Sequence, residues 1–441
     1  MKLFVFLFFF LPFCSFSQVI FSQGGAITDF NGIVRTDTFR VQVNNVKENL
    51  SPTFGLSKVC INIYHEKISD LKIEILAPDG TRVWLTNRNG DESATLYFNT
   101  CFASNGFSGF VHQGKYPFTG EYIPDGRLEF INNGQNPNGE WKILIADLRE
   151  GNTGSLNYFS LQFEKDPNPN SAQSGCSETN PAACKCPDGT FDCVLLPDLA
   201  ILERFTQSQI KEYAFDDKEY PGQLRFAATI ANIGSGPIEV SGNNQWFCGD
   251  QKVEGSIVCP NGEYSRQKLT QKVYELHNQK ITSTLVEAGS NYYDSKPGHN
   301  HFHVDSWVEF RLLKKTFFNK RKIICEGTKV SYCLFDNGIC NGVDSLCKVQ
   351  GQVYTSQNLL NYGFGSFADC KSGNQGISVG GYDTYGMLYE GQYLDLPKNL
   401  KNGVYTLEIE IDPEKKYKES NRKNNTYSQE VTISKQNRNG H

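Results

Sequence analysis

Short segments in which apolar and polar residues alternate, separated by turns rich in Gly, Pro and Asn, recur through most of the chain. A period of two puts alternate side chains on opposite faces of a strand, and no long helical periodicity competes with it. The clearest case is Leu71-Lys72-Ile73-Glu74-Ile75-Leu76, then Pro78-Asp79-Gly80, then Arg82-Val83-Trp84-Leu85. Two alternating runs around a Pro-Asp-Gly turn predict a β-hairpin. Trp141-Lys142-Ile143-Leu144-Ile145 and residues 156–163 repeat the pattern around Gly151-Asn152-Thr153-Gly154. The chain is therefore predicted to be all-β, with a β-sandwich over about 21–165. A second β-rich half begins near 194. There Leu224-Arg225-Phe226-Ala227-Ala228-Thr229-Ile230 and residues 404–411 read as strands of one sandwich, with long loop-rich insertions between them.

The 441 residues suggest two or three domains, each large enough to bury a core. A net charge of -5 without a basic stripe excludes a phosphate-binding surface, so nucleic acid is not an expected partner. Lys2 followed by the apolar run 3–13, with small Ser15 and Ser17 before Gln18, reads as a signal peptide over 1–17. That run is about half of the ~20 apolar residues a spanning helix needs, and no later segment is apolar enough to span. A lipid anchor through Cys14 is disfavoured by the bulky Leu11-Pro12-Phe13 before it. The expected location is secreted. Fourteen cysteines agree, since export favours disulfides. Cys60 pairs plausibly with Cys101 and Cys248 with Cys259, and thirteen cysteines after cleavage leave one free thiol or an intermolecular link. Composition shifts at DPNPNSAQSGCSETNPAACKCP (166–187), a linker stapled by some of Cys176, Cys184, Cys186 and Cys193. The Cys184-Lys185-Cys186 spacing, without a nearby His, favours disulfides over zinc. The expected boundaries are 1–17, 18–165, 166–193, 194–433 and a disordered tail at 434–441.

Three of the seven histidines fall in His299-Asn300-His301-Phe302-His303. On a strand all three imidazoles share one face, and imidazole suits Cu, Zn, Fe and Ni. Alternate residues four apart on a flat strand are ~13 Å apart, so three ligands to one ion require a bend, for which Gly298 gives freedom. A solvent-exposed His patch is the competing reading, and the alternation over 304–313 argues instead for an embedded strand. No helical His-Glu-x-x-His is present to signal a zinc protease. Three nitrogen ligands favour copper or zinc.

Two resemblances add to this. His65, Ile68-Ser69-Asp70-Leu71-Lys72-Ile73, Ala77-Pro78-Asp79-Gly80-Thr81, Asn136-Pro137-Asn138-Gly139-Glu140-Trp141 and Gly151-Asn152-Thr153-Gly154-Ser155-Leu156 resemble the P domain of proprotein convertases over most of 21–165. The resemblance implies a jelly-roll-like module of the kind that accompanies subtilisin-type proteases. No remaining stretch holds an Asp/His/Ser protease fold, so binding or folding support is the better expectation. In the second half, Gly298-His299-Asn300-His301-Phe302-His303 with Glu309-Phe310-Arg311-Leu312-Leu313 resembles the copper loop of lysyl oxidases. Glu326-Gly327-Thr328-Lys329-Val330-Ser331-Tyr332-Cys333-Leu334-Phe335-Asp336, Tyr382-Asp383-Thr384-Tyr385-Gly386, Gly403-Val404-Tyr405-Thr406-Leu407 and Glu419-Ser420-Asn421 with Asn424-Asn425 continue the likeness in order over about 195–432.

The second resemblance implies that His299, His301 and His303 bind copper. It also implies that Tyr385 is oxidised and joined by Lys329 to give lysyl tyrosylquinone. The implied activity is oxidative deamination of peptidyl lysine or another primary amine, with O₂ consumed and NH₃ and H₂O₂ released. Asp383, two residues before Tyr385 and on its strand face, is the candidate base. Cys333 and Cys340 are the expected short disulfide loop. Gly298, Gly381 and Gly391 stand where the family has cysteines, so the remaining disulfides are expected to be rewired, with Cys347 and Cys370 the candidates. Two other readings compete. Leu196-Pro197-Asp198-Leu199 and the Glu419–Asn425 motif also resemble bacterial adhesion-type Ig-like modules, which implies a non-enzymatic surface protein. The P domain alone suggests a proteolysis-linked role.

Overall fold

The computed structural model describes residues 18–167, 173–296, 301–316, 320–328, 330–341, 345–370 and 373–436. The signal-peptide reading lies outside them, and so do His299 and Lys329. The all-β expectation holds: the one α-helix among the described residues is the six-residue Glu203–Ser208. No helix among them is long and apolar enough to cross a membrane.

The first half is a sandwich of nine strands: β1 (Gln18–Ile27), β2 (Asp37–Val43), β3 (Phe54–His65), β4 (Leu71–Leu76), β5 (Arg82–Asn87), β6 (Leu96–Phe102), β7 (Phe118–Tyr122), β8 (Gly139–Asp147) and β9 (Gly154–Lys165). One sheet runs β1-β9-β3-β6-β7 and the other β2-β8-β4-β5. The predicted hairpin is β4 and β5, paired antiparallel. The alternating apolar residues turn inward: Ile61, Ile63, Ile73, Ile143, Phe159 and Trp141 are all fully buried in one core. Trp141 also satisfies its indole N–H by donating to the Pro137 carbonyl at 2.8 Å.

In the second half the largest sheet contains, in order, Ile238–Cys248, Arg266–His277, Lys280–Asp294, His301–Lys315, Gly403–Ile411 and Thr426–Ile433. A smaller sheet orders Leu199–Ile201, Ala228–Asn232, Gly381–Tyr385 and Gly338–Ile339. The run 224–230 breaks at Ala227 and its two parts enter different sheets. Alternation along His301–Lys315 also breaks: Ser306 has φ 52° and the pairing slips between Val304 and Val308. Such a bulge re-aims the side chains on either side of it.

Cys60–Cys101 and Cys248–Cys259 pair as expected, and Cys176–Cys184 and Cys186–Cys193 staple the linker. The expected Cys333–Cys340 loop does not form. Cys333 bonds Cys370 and Cys340 bonds Cys347, because Cys333 lies in a segment packed against the 367–370 loop rather than against its own downstream neighbour. Cys325 is the free thiol among the described residues. The linker is a strap on the second half: Ser174 donates its N–H to the Tyr362 carbonyl at 3.0 Å, and Asn361 donates to the Lys185 carbonyl at 2.9 Å. Of the expected tail, residues 434–436 are among the described residues. Glu212 accepts the backbone N–H groups of Ser434 and Lys435, each at 2.8 Å, which holds 434–436 against the domain.

The two halves meet across a mixed interface. Phe110 of the first is buried against Phe205 and belongs to the same apolar cluster as Tyr362 and Tyr382 of the second, and Trp84 packs edge-on against Phe335 at 4.9 Å. Asn337 donates to the Asp125 carbonyl at 2.6 Å, and Lys67 pairs with Glu219 at 2.9 Å. Arg149 pairs with the same Glu219 and donates to the Tyr220 hydroxyl.

Candidate active site

His301 and His303 open the strand His301–Lys315, opposite Asp294 and Tyr292 of the neighbouring strand. The expected alternation holds here. Phe302 points the other way, against Trp246 and Tyr293, while both imidazoles are buried on one face. Their Nε2 atoms are 2.8 Å apart and the rings are stacked at 4.7 Å. Two nitrogens bound at right angles to one ion with 2.0–2.1 Å bonds would be about 2.9 Å apart, so this separation suits two ligands of a single metal. The donor chemistry also suits copper. His301 lies beside the Cys333–Cys370 disulfide, with potential ligand atoms within 4.8 Å of one another. The two sulfurs are bonded to each other and so are not thiolate ligands.

Gln375 ties this strand to the next part of the site. Its amide donates to the Phe302 carbonyl at 2.9 Å, and its oxygen accepts the Leu334 N–H at 3.0 Å. Beside it, the backbone N–H of Cys333 donates to the Tyr385 oxygen at 2.6 Å. Tyr385 ends the strand Gly381–Tyr385, with Ala228 as its cross-strand partner. Its ring stacks flat on Tyr332 at 3.6 Å, and Tyr389 closes from the side at 5.6 Å. Burial, more than any neighbouring charge, holds the Tyr385 phenol well above its ordinary pKa, so it is neutral at physiological pH.

Asp383 shares the face of Tyr385 but is fully buried and lines no wall of the cavity described next. Neither carboxyl oxygen has a hydrogen-bond partner among the described residues. Burial first, and the nearby Asp336 second, push its pKa well above the ordinary carboxylate range, which favours the neutral form.

A cavity of about 190 Å³ brings these elements together. Its walls include His301, His303, Tyr385, Tyr389, Asp294 and Glu390. Thr328 and Val330, the neighbours of Lys329, line it as well. Glu390 pairs with Lys296 at 3.0 Å on its rim. The first half supplies the opposite wall through Trp84, Asn87, Arg88 and Leu148. The structure thus joins two of the three expected histidines to Tyr385 and leaves Asp383 buried outside the cavity lining. Asp294, Gln375, Tyr332 and the first-half wall were not foreseen. None carries a local sequence signal, because each is brought in by long-range pairing.

Two family models match this chain. Residues 254–439 match the lysyl oxidase family model, and residues 57–119 match that of the proprotein convertase P-domain. Human protein-lysine 6-oxidase is 26% identical over 164 residues, which are 37% of this chain and 33% of that protein. Lysyl oxidase homolog 3B of Danio rerio is 27% identical over 171 residues, 38% of this chain and 18% of that protein. The match with the human enzyme thus spans about a third of its length. A serine protease of Aeromonas sobria in complex with its chaperone gives a TM-score of 0.19 at 17% identity, over 34% of this chain and 26% of that one, too low to bear on fold or function. The chain therefore carries a lysyl oxidase domain at 254–439, preceded by a proprotein convertase P-domain matched at 57–119.

Proposed function

We propose that this protein is a secreted, copper-dependent amine oxidase. It would convert primary amines, peptidyl lysine among them, by the balance R–CH₂–NH₂ + O₂ + H₂O → R–CHO + NH₃ + H₂O₂. One observation carries the reading: two buried imidazoles with Nε2 atoms 2.8 Å apart share a cavity with the buried phenol of Tyr385. His301 and His303, with His299, would hold copper, and Lys329 would join Tyr385 as lysyl tyrosylquinone. Bound there, the metal and the quinone would supply the redox capacity that no side chain has.

The chain's own residues have separate tasks. The Cys333 N–H fixes the Tyr385 oxygen, and Tyr332 and Tyr389 hold its ring in one orientation and keep water from its faces. Gln375 fixes the histidine strand relative to that N–H. Abstraction of the substrate α-proton needs a carboxylate at the cavity. Asp383 is the base suggested by the sequence, but Asp294 stands on the wall and is the better placed of the two. Asp294→Asn is then expected to lower kcat at least ~100-fold, and Asp383→Asn by less. The reverse order would restore Asp383 as the base.

Metal analysis and mass spectrometry of a 329–385 cross-linked peptide test the reading as a whole. Stoichiometric copper and the linked peptide are expected, together with loss of amine-dependent H₂O₂ in Tyr385→Phe. An intact Lys329 peptide from copper-loaded protein would favour a non-enzymatic surface role.

A further inference from the structure

The wall that the P-domain contributes to the cavity is not inert. Arg88 follows β5 in a turn where its backbone has φ 56°, the left-handed region that Gly or Asn occupies at less cost. A long cationic side chain at such a position calls for a reason. Its guanidinium lines the catalytic cavity and forms no ion pair with any described carboxylate. Glu390, the acid on the same wall, is taken by Lys296 at 3.0 Å. Arg149, a second cation nearby, is taken by Glu219. Burial of Arg88 disfavours its charged form and Arg149 adds repulsion, which Tyr389, Tyr220 and Glu390 offset in part. A half-buried guanidinium that makes no ion pair with a described carboxylate is placed to take an anion that enters beside it.

The residue before it gives an independent sign. Asn87 is only 8% exposed and lines the same cavity. Its backbone N–H is used by Asp125 at 2.8 Å, and its side chain lies against the Tyr389 hydroxyl. Its carbonyl oxygen Oδ1 has no partner. Buried polar atoms are nearly always satisfied, so an open acceptor next to an open guanidinium describes a place for a ligand. The guanidinium offers a paired fork of donors that suits a carboxylate, and the amide oxygen accepts an N–H beside it.

We propose that Asn87 and Arg88 form an anion subsite of the catalytic cavity, taking a carboxylate, with an adjacent N–H, carried by the primary-amine substrate. The proposal rests on the amine-oxidase reading and deepens it. The substrate class is a lysine whose ammonium reaches Tyr385 while a carboxylate near its backbone meets Arg88. That carboxylate belongs either to a chain terminus or free amino acid, or to an acidic residue next to the lysine. The P-domain is then a specificity element, and Trp84 and Leu148 give the apolar wall along which the four-carbon stem lies.

The test compares two substrates that differ only in the anion, Nα-acetyl-L-lysine and Nα-acetyl-L-lysinamide, on the full copper-loaded chain. The acid should have a kcat/KM about tenfold or more above that of the amide. Arg88→Met should erase most of that ratio, and Arg88→Lys should keep part of it. Oxidation of acetyl-Lys-Asp-amide at the rate of the acid assigns the carboxylate to an acidic neighbour, and its rejection assigns it to a terminus or free amino acid. Equal kcat/KM for acid and amide in the wild type overturns the subsite whether or not the variants fold.

A second measurement needs no oxidase activity. Calorimetry with Nα-acetyl-L-norleucine, which lacks the amine, should show binding that Arg88→Met abolishes and that the norleucinamide does not reproduce. Such binding without oxidation of any amine would retain the subsite and remove the oxidase reading. Oxidation without acid preference or norleucine binding would do the reverse.

Discussion

The two halves of this chain solve the same stability problem differently. The P-domain encloses one continuous core between two sheets and has a single disulfide, between adjacent strands. Two of its buried histidines pair with carboxylates, His65 with Asp147 at 3.2 Å and His112 with Asp125 at 3.2 Å, while Asn87 Oδ1 at the cavity stays open. The lysyl oxidase half distributes its apolar residues over several clusters around a cavity and, with its strap, holds five disulfides. It also keeps the Asp383 carboxyl buried without a hydrogen-bonding side chain among the described residues. A cavity lined by imidazoles and carboxyls removes apolar contact and leaves desolvated polar groups, both of which lower stability. Disulfides offset this by restricting the unfolded chain. The comparison teaches that the half that gives the cavity one wall relies on packing, and the half that holds its histidines and Tyr385 relies on cross-links.

Four measurements can break or sharpen that contrast. Trp141→Ala, at the centre of the packed half, should cost about 3–5 kcal/mol in denaturant unfolding. A loss below ~1 kcal/mol would mean that packing does not carry this half. Next are two disulfides that close loops of nearly equal length, with sequence separations of 41 for Cys60–Cys101 and 37 for Cys333–Cys370. Chain entropy predicts nearly equal losses of about 2–4 kcal/mol when each pair is changed to serine. Only the second should also lower amine oxidation, because the Cys333 N–H holds Tyr385. Loss of activity from the first would show that the site depends on the whole fold and not on its own staple.

Glu419 comes third. Its carboxyl is buried, and burial raises its pKa to about 7 against the pull of Asn425, Arg422 and the Leu199 N–H. The folded state therefore binds this proton more tightly than the unfolded state does. Stability is greatest below pH ~4.5 and falls as pH rises to ~7, by a few kcal/mol at most. Urea midpoints should show this decline in the wild type and its loss in Glu419→Gln. A midpoint that rose through this window on account of Glu419 would reverse the assignment. The smallest effect belongs to Cys325, whose thiol burial pushes up to about 11. Cys325→Ser should change stability by no more than ~0.5 kcal/mol, and iodoacetamide at pH 8 should leave the native thiol unmodified.

The amino-acid sequence by itself determined what depends on near neighbours. Strand alternation yielded the hairpin of β4 and β5, the shared face of His301 and His303, and the pairing of Cys248 with Cys259 across a short loop. Composition marked the linker, and ordered motifs marked both domains. The tertiary structure decided everything that depends on which distant segments meet. It bonded Cys333 to Cys370 rather than to Cys340, and it buried Asp383 away from the cavity while putting Asp294 on its wall. It also brought Asn87 and Arg88 of the P-domain to a cavity whose second-half residues lie some two to three hundred positions later in the chain. The physical reason is that alternation and spacing fix the direction of a side chain relative to its own strand. The partners it meets are chosen by sheet order and domain docking, which no local pattern encodes.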